Sequence, residues 1–227
     1  MRSQLILQKR NITDRQAVSV LNMLPFKHPF TCIVSGPTQC GKTTFILKLI
    51  SNAQTIIEPP LERIVYCYGE YQRAFDTVRN RVYFHEGLPD VNQFDGCSRA
   101  LLILDALMAE ADDSIANGFT KISHHRNVSV IFLTQNLFYK NKHMRTISLN
   151  AHYLVLFKNP RDVEQFATLA RQMYAKNWQF AVEAFRDATS RPHSYLLINL
   201  KSDTDEQYRL RTNIFPNKQT FVYVSKR

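Results

Sequence analysis

Cysteine is scarce, and its few occurrences form no short-range pair. Cys32, Cys40, Cys67 and Cys97 include no C-x-x-C, which argues against a disulfide framework and for a reduced, intracellular chain. His124 and His125 share no ligand spacing with any other His or Cys, so no zinc-type centre is expected. No zinc finger or other base-reading motif is present. No apolar run reaches membrane-spanning length, and Met1 to Arg10 is too short and polar to read as a secretion signal, so no membrane partner is expected. No internal repeat is visible. Acidic residues are also short, 19 Asp+Glu against 29 Lys+Arg, for a net charge of +10. That balance favours an anionic partner such as nucleic acid. The bland alternative is a basic surface with no polymer ligand. The charge gathers in Lys140 to Arg145, Ser225-Lys226-Arg227 and Lys9-Arg10.

What remains is globular: 227 residues, 44% hydrophobic and 21% charged, enough for one domain with a sizeable core. Residues 1–28 read as an N-terminal extension and 29–227 as the main domain. Within the latter, Gly36-Pro37-Thr38-Gln39-Cys40-Gly41-Lys42-Thr43 fits G-x-x-x-x-G-K-[ST] at every fixed position. An apolar, β-branched run, Thr31 to Val34, leads in, and Phe45, Ile46, Leu47 and Ile50 lead out at helical spacing. Strand, glycine loop and helix make a phosphate cradle. Backbone N–H groups converge on phosphate oxygens at the positive end of the helix dipole. The expected ligand is ATP with Mg²⁺, bound by residues 36 to 44 including Thr44. Lys42 bridges the β- and γ-phosphates, and the Thr43 hydroxyl sits on the metal.

Further strands are expected at Arg63–Tyr68, Ala100–Asp105, Val128–Gln135 and His152–Phe157, with a short edge strand at Arg81–His85. Helices are expected at Arg15–Leu24, Tyr71–Arg79, Leu107–His125, Asp162–Ala175 and Phe180–Ala188, with residues 137–150 as a basic connector. Ser194–Asn199 and Gln207–Arg211 alternate as an antiparallel ribbon would. Alternating strands and helices predict an α/β sheet covered on both faces.

Asp105 closes a continuous apolar strand, where a carboxylate is costly to bury unless it meets a cation or a donor. Magnesium shared with Thr43 is one answer, and a helix N-cap is the other. Many hydrolytic relatives of such a strand carry a second acid directly after it; this chain has Ala106, which can neither orient nor deprotonate water. Three readings stay open: another acid such as Glu110 serves, hydrolysis is slow, or the position was changed from an acid to hold nucleotide. Gln135 ends the next strand, where it would orient the attacking water, sense the γ-phosphate or stand as a plain polar residue at a strand end. Arg126 either complements a helix C-terminus or acts as an arginine finger in a neighbouring subunit, with Arg145 and Arg161 as rivals.

Taken together, Gly-Pro-Thr-Gln-Cys-Gly-Lys-Thr, Leu-Ile-Leu-Asp and His-His-Arg-Asn-Val-Ser-Val-Ile-Phe-Leu-Thr-Gln-Asn resemble the FtsK/HerA-type ATPases. They are similar in particular to the DNA-packaging ATPases of Maverick/Polinton-type and related large DNA viruses. The similar portion runs from about Pro29 to Asn159 and on towards Arg171. The resemblance implies a RecA-like P-loop NTPase of the strand-inserted class, with the Val128–Thr134 strand between the P-loop strand and the Asp105 strand. The sheet would be mostly parallel and flanked by helices, with a C-terminal antiparallel ribbon. The implied activity is ATP hydrolysis driving double-stranded DNA through a homo-oligomeric ring into a viral capsid, with capsid proteins as partners. The implied location is the host nucleus, a cytoplasmic virus factory or the virion. Lys42, Asp105, Gln135 and Arg126 would be catalytic, Thr43 and Asp105 the metal ligands. Ala106 departs from the pattern and would impair hydrolysis. A helicase-type ATPase acting on single strands and a small-molecule kinase are the competing functions.

Overall fold

A computed structural model describes residues 8–11, 24–90, 94, 98–105, 127–137, 142–160, 163–216 and 218–225. Ala106, Glu110, Arg126 and Arg161, the expected helices at 15–24 and 107–125, and residues Lys226 and Arg227 of the C-terminal basic patch lie outside the described residues, apart from Leu24 itself.

In chain order the strands are β1 (Gln8–Asn11), β2 (Phe26–Lys27), β3 (Thr31–Ser35), β4 (Ile57–Glu58), β5 (Arg63–Tyr68), β6 (Tyr83–Glu86), β7 (Ala100–Asp105), β8 (Val128–Thr134), β9 (Tyr153–Phe157), β10 (Tyr195–Asn199), β11 (Leu210–Thr212) and β12 (Phe221–Val224). Ten of them form one mixed sheet in the order β1-β12-β11-β10-β9-β3-β8-β7-β5-β6. From β9 to β6 the neighbours are parallel. From β9 outward through β10, β11, β12 and β1 they are antiparallel. β2 and β4 pair in a separate two-stranded ribbon.

The parallel strands are where the apolar runs are. β3, β7, β8 and β9 are buried at every position, because both faces of the sheet are covered. Ile33, Leu102, Val130 and Leu154 pack on one face with Phe166, Ala170, Phe180 and Ala184 of helices Val163–Met173 and Trp178–Ala188. Cys32, Val34, Ile103, Ile131 and Val155 face the other way, against Phe45, Ile46, Leu49 and Ile50 of helix Lys42–Ser51.

Three expectations are corrected. Residues 137–150 are not only a connector: Lys142–Leu149 is helical, seated by the buried Ile147. The expected helix at 71–79 is a 3-10 segment, Arg73–Arg81, whose two buried apolar residues, Phe75 and Val78, stand three apart. That spacing suits three residues per turn. The ribbon at 194–211 is larger than expected. Glu206–Tyr208 is a 3-10 turn, the strand itself is Leu210–Thr212, and β12 and β1 extend it.

Two polar clusters fasten the lead-in to β3. The His28 ring spans Ser129 Oγ at 2.6 Å and Asn127 Oδ1 at 3.0 Å. Burial holds its pKa below the ordinary histidine value. On the ribbon side Arg211, 2% exposed, donates to the Leu24 carbonyl at 2.9 Å, and burial pushes its guanidinium down to about 10.

Candidate functional site

The chain leaves β3 at Ser35 and turns immediately. Gly36 N–H donates to the Thr134 carbonyl at 3.2 Å, so the loop starts fixed to the end of β8. A Cβ on Gly36 would lie 2.7 Å from both Cys40 Sγ and Phe157 Cβ, so no side chain fits there. Gly41 has φ 109°, a conformation that favours glycine, and it stands immediately before helix Lys42–Ser51. Phe45 N–H bonds the Gly41 carbonyl at 2.9 Å. The N–H groups of Lys42, Thr43 and Thr44 before it have no earlier turn to bond. No side chain caps this helix, and its first turn holds no acid. The result is a positive, anion-seeking end.

Lys42 Nζ donates to the carbonyls of Gly36 at 2.7 Å and Pro37 at 3.0 Å. The loop therefore holds its own lysine in place. Lys42 lines a cleft of about 590 Å³ together with Thr38, Thr43, Thr44, Asp105 and Gln135. The topology explains the convergence: β8 lies between β3 and β7, and the three parallel strands release their C-terminal ends on one side of the sheet. Thr134 Oγ accepts from Asn136 N–H at 3.2 Å and donates to the Asn136 carbonyl at 3.0 Å, within the turn where the exposed Gln135 leaves the strand.

Asp105 is 8% exposed and accepts a 2.6 Å hydrogen bond from the Tyr66 hydroxyl. Burial raises its pKa above the ordinary carboxylate value, while the Tyr66 hydrogen bond and the Lys42 charge pull it down. Burial, with the Asp105 charge behind it, raises the Tyr66 phenol, which therefore stays a donor. Among the described residues Tyr66 bonds one carboxylate oxygen, Oδ2, and burial leaves the group with a net need for positive charge. Among the described residues no group of three or more His, Cys, Asp or Glu could hold a metal. A cation beside Asp105 and Thr43 would draw its other ligands from water and phosphate, the habit of magnesium. The donor set fits a magnesium–triphosphate complex: one hard carboxylate, one hydroxyl, one ammonium and a ring of amides.

Of the sequence-predicted residues, the structure brings Thr38, Gln39, Gly41, Lys42, Thr43, Thr44, Asp105 and Gln135 to this one cleft. Gly36, Pro37 and Cys40 form the base of the loop. Arg145 falls within helix Lys142–Leu149, which is described by its backbone alone at that residue. Two residues went unread in the sequence. Tyr66 looks like one more core aromatic until β5 is known to lie beside β7. His193 comes from the distant turn before β10, with φ 58°. Its Nδ1 lies 3.2 Å from the Cys40 carbonyl. A carbonyl only accepts, so Nδ1 carries the proton.

No protein-family model matches the chain, and no curated protein matches it. Among solved structures, it is similar to the genome packaging NTPase B204 from Sulfolobus turreted icosahedral virus 2, determined in complex with ATP-gammaS. The two are 14% identical with a TM-score of 0.49, over 81% of this chain and 96% of that one. No helix among the described residues is long and apolar enough to cross a membrane.

Proposed function

We propose that the chain is a P-loop ATPase that binds Mg·ATP at the β3–helix junction and couples its hydrolysis to movement of double-stranded DNA. The observation that carries the nucleotide reading is the convergence of Lys42, Thr43, Asp105 and Gln135 on one cleft, at the start of an uncapped helix. The placement of β8 between β3 and β7 supports assignment to the strand-inserted class. The motor reading rests on the resemblance of the three motifs and on the net charge of +10. Packaging of a viral genome by a homo-oligomeric ring, with capsid proteins as partners, follows from that resemblance.

In this reading the amides of residues 41 to 44 hold the phosphate chain, and Lys42 exchanges its two loop carbonyls for phosphate oxygens. Thr43 and Asp105 would hold a magnesium ion, which would supply charge neutralisation to the phosphate chain. The Tyr66 hydrogen bond favours the ionised form of Asp105 and aims it. Gln135 orients water at the γ-phosphate. Arg126, from a neighbouring subunit, would stabilise transition-state charge. Ala106 supplies no base, so turnover is slow relative to binding.

The test is calorimetry and steady-state hydrolysis on the wild-type chain and Lys42→Ala. ATP affinity should fall at least tenfold in the variant with folding intact; unchanged affinity would refute the site. Hydrolysis should rise with double-stranded DNA. Stimulation by single strands alone would replace the translocase with a helicase-type reading.

A further inference from the structure

A second cleft, of about 620 Å³, adjoins the first and shares Gly41, Thr44, Lys48 and His193 with it. Its far wall belongs to the antiparallel part of the sheet. Asn213 follows β11, Phe221 opens β12, and Lys218 and Gln219 lie between them. The register places these residues together. Tyr195, the first residue of β10, faces the last residue of β9, Phe157, and Phe221 faces Thr212 at the end of β11. The ribbon therefore delivers the segment before β10 and the β11–β12 connection to the same side of the sheet on which β3, β7 and β8 end.

The strands that carry the unshared walls of the two clefts lie on either side of β3 in the sheet. Asp105 and Gln135 mark one end, reached through β8 and β7. Asn213 and Phe221 mark the other, reached through β9 and β10. A triphosphate laid on the amides of residues 41 to 44, with its terminal phosphate toward Asp105, must send its other end past Thr44 and Lys48. Among the described residues, the second cleft opens beside Thr44 and Lys48. Its lining combines aromatic residues, Phe45, Tyr195, Phe215 and Phe221, with side-chain amides, those of Asn213 and Gln219. A planar, hydrogen-bonding ring needs both, since ring faces stack on aromatics and ring edges pair with amides. His193 stands at the junction. With Nδ1–H committed to the Cys40 carbonyl, Nε2 is left to meet a hydroxyl.

We propose that this cleft is the nucleoside subsite: it takes the ribose and base of the nucleotide whose phosphates lie on the loop. The assignment rests on the phosphate-binding reading given above, and it makes the C-terminal ribbon part of the site. His193 meets the sugar hydroxyls, and Asn213 and Gln219 read the edge of the base.

Titrating the full chain with Mg·ATP and, separately, with inorganic magnesium tripolyphosphate separates the two readings. The variant is His193→Gly with Asn213→Gly. Both positions have positive φ, 58° and 56°, so glycine removes the side chains and keeps the backbone path. ATP affinity should drop about tenfold or more, the worth of two or more lost hydrogen bonds. Tripolyphosphate affinity should change less than about twofold, which also certifies the fold. If the variant binds both ligands as the wild type does, the subsite assignment is overturned and the phosphate reading stands. If both affinities fall together with no change in melting temperature, the residues serve the loop and the assignment is again overturned. Failure of the wild-type chain to bind either ligand overturns both readings.

Discussion

Replacing Tyr66 by phenylalanine removes one oxygen and leaves Asp105 buried without its donor. Tyr66 is fully buried, Asp105 is 8% exposed, and their contact is 2.6 Å, so water cannot replace the lost bond at its full strength. A hydrogen bond to a charged group contributes about 1.5–3 kcal/mol, and the low exposure places this one toward the upper part of that range. The sign follows from the existing balance. Burial already raises the Asp105 pKa, and Tyr66 is the larger of the two influences opposing it; without the phenol the carboxyl goes higher still. A carboxylic acid with a raised folded pKa binds protons more tightly folded than unfolded. Stability of the ligand-free protein therefore declines as pH rises from the ordinary value of 3.8 toward the folded one. Tyr66→Phe should extend that decline to higher pH. Magnesium requires the ionised form, so the pH at which magnesium begins to strengthen ATP binding should also move up. On the acid flank the magnesium-dependent part of ATP affinity should fall by about a factor of ten or more. The assay is ATP titration with and without magnesium between pH 5 and 8, alongside melting curves. Superimposable pH profiles for the two proteins would refute the coupling of Tyr66 to Asp105.

Gly36→Ala should destabilise the fold by about 1–3 kcal/mol, because the added carbon meets Cys40 Sγ and Phe157 Cβ at 2.7 Å; urea unfolding measures it, and an unchanged midpoint would count against that loop packing. Binding to double-stranded DNA should weaken steeply with salt and vary little with sequence, as backbone electrostatics dictates for a chain of net charge +10; a salt-insensitive profile in fluorescence anisotropy would contradict it. Ala106→Asp should raise ATP turnover by about 10²–10⁴-fold at equal oligomeric state, the usual worth of general-base assistance. Equal turnover would mean that another group already serves as base.

The parallel half of the sheet was legible because burial on both faces leaves a continuous apolar run, as in Ala100–Asp105 and Arg63–Tyr68, whose bounds match the observed strands. The glycine loop was legible because its chemistry constrains each fixed position. Residues that act across long separations were not. Tyr66 becomes a partner of Asp105 only when β5 pairs with β7, and nothing local to β5 says so. β12 is four residues long and gains its meaning from β11 and β1. His193 adopts a left-handed conformation that glycine or asparagine would have signalled better. Helix Lys142–Leu149 was hidden by its basic composition, with one buried side chain, Ile147, among those described.

The arrangement that sets β3 between β8 and β9 also constrains how the chain is born. Both hydrogen-bonding neighbours of the strand that feeds the glycine loop come late in synthesis. Phe30, the residue just ahead of it, bonds Ser129, 99 residues further on. While the ribosome makes the intervening stretch, five consecutive residues that end up buried have no strand to pair with. Such distant pairing slows folding and leaves an apolar segment open to the wrong partner. The nascent chain should therefore draw on a holding chaperone until β8 and β9 have left the exit tunnel, and pausing translation before residue 128 should leave the loop unformed and open to protease.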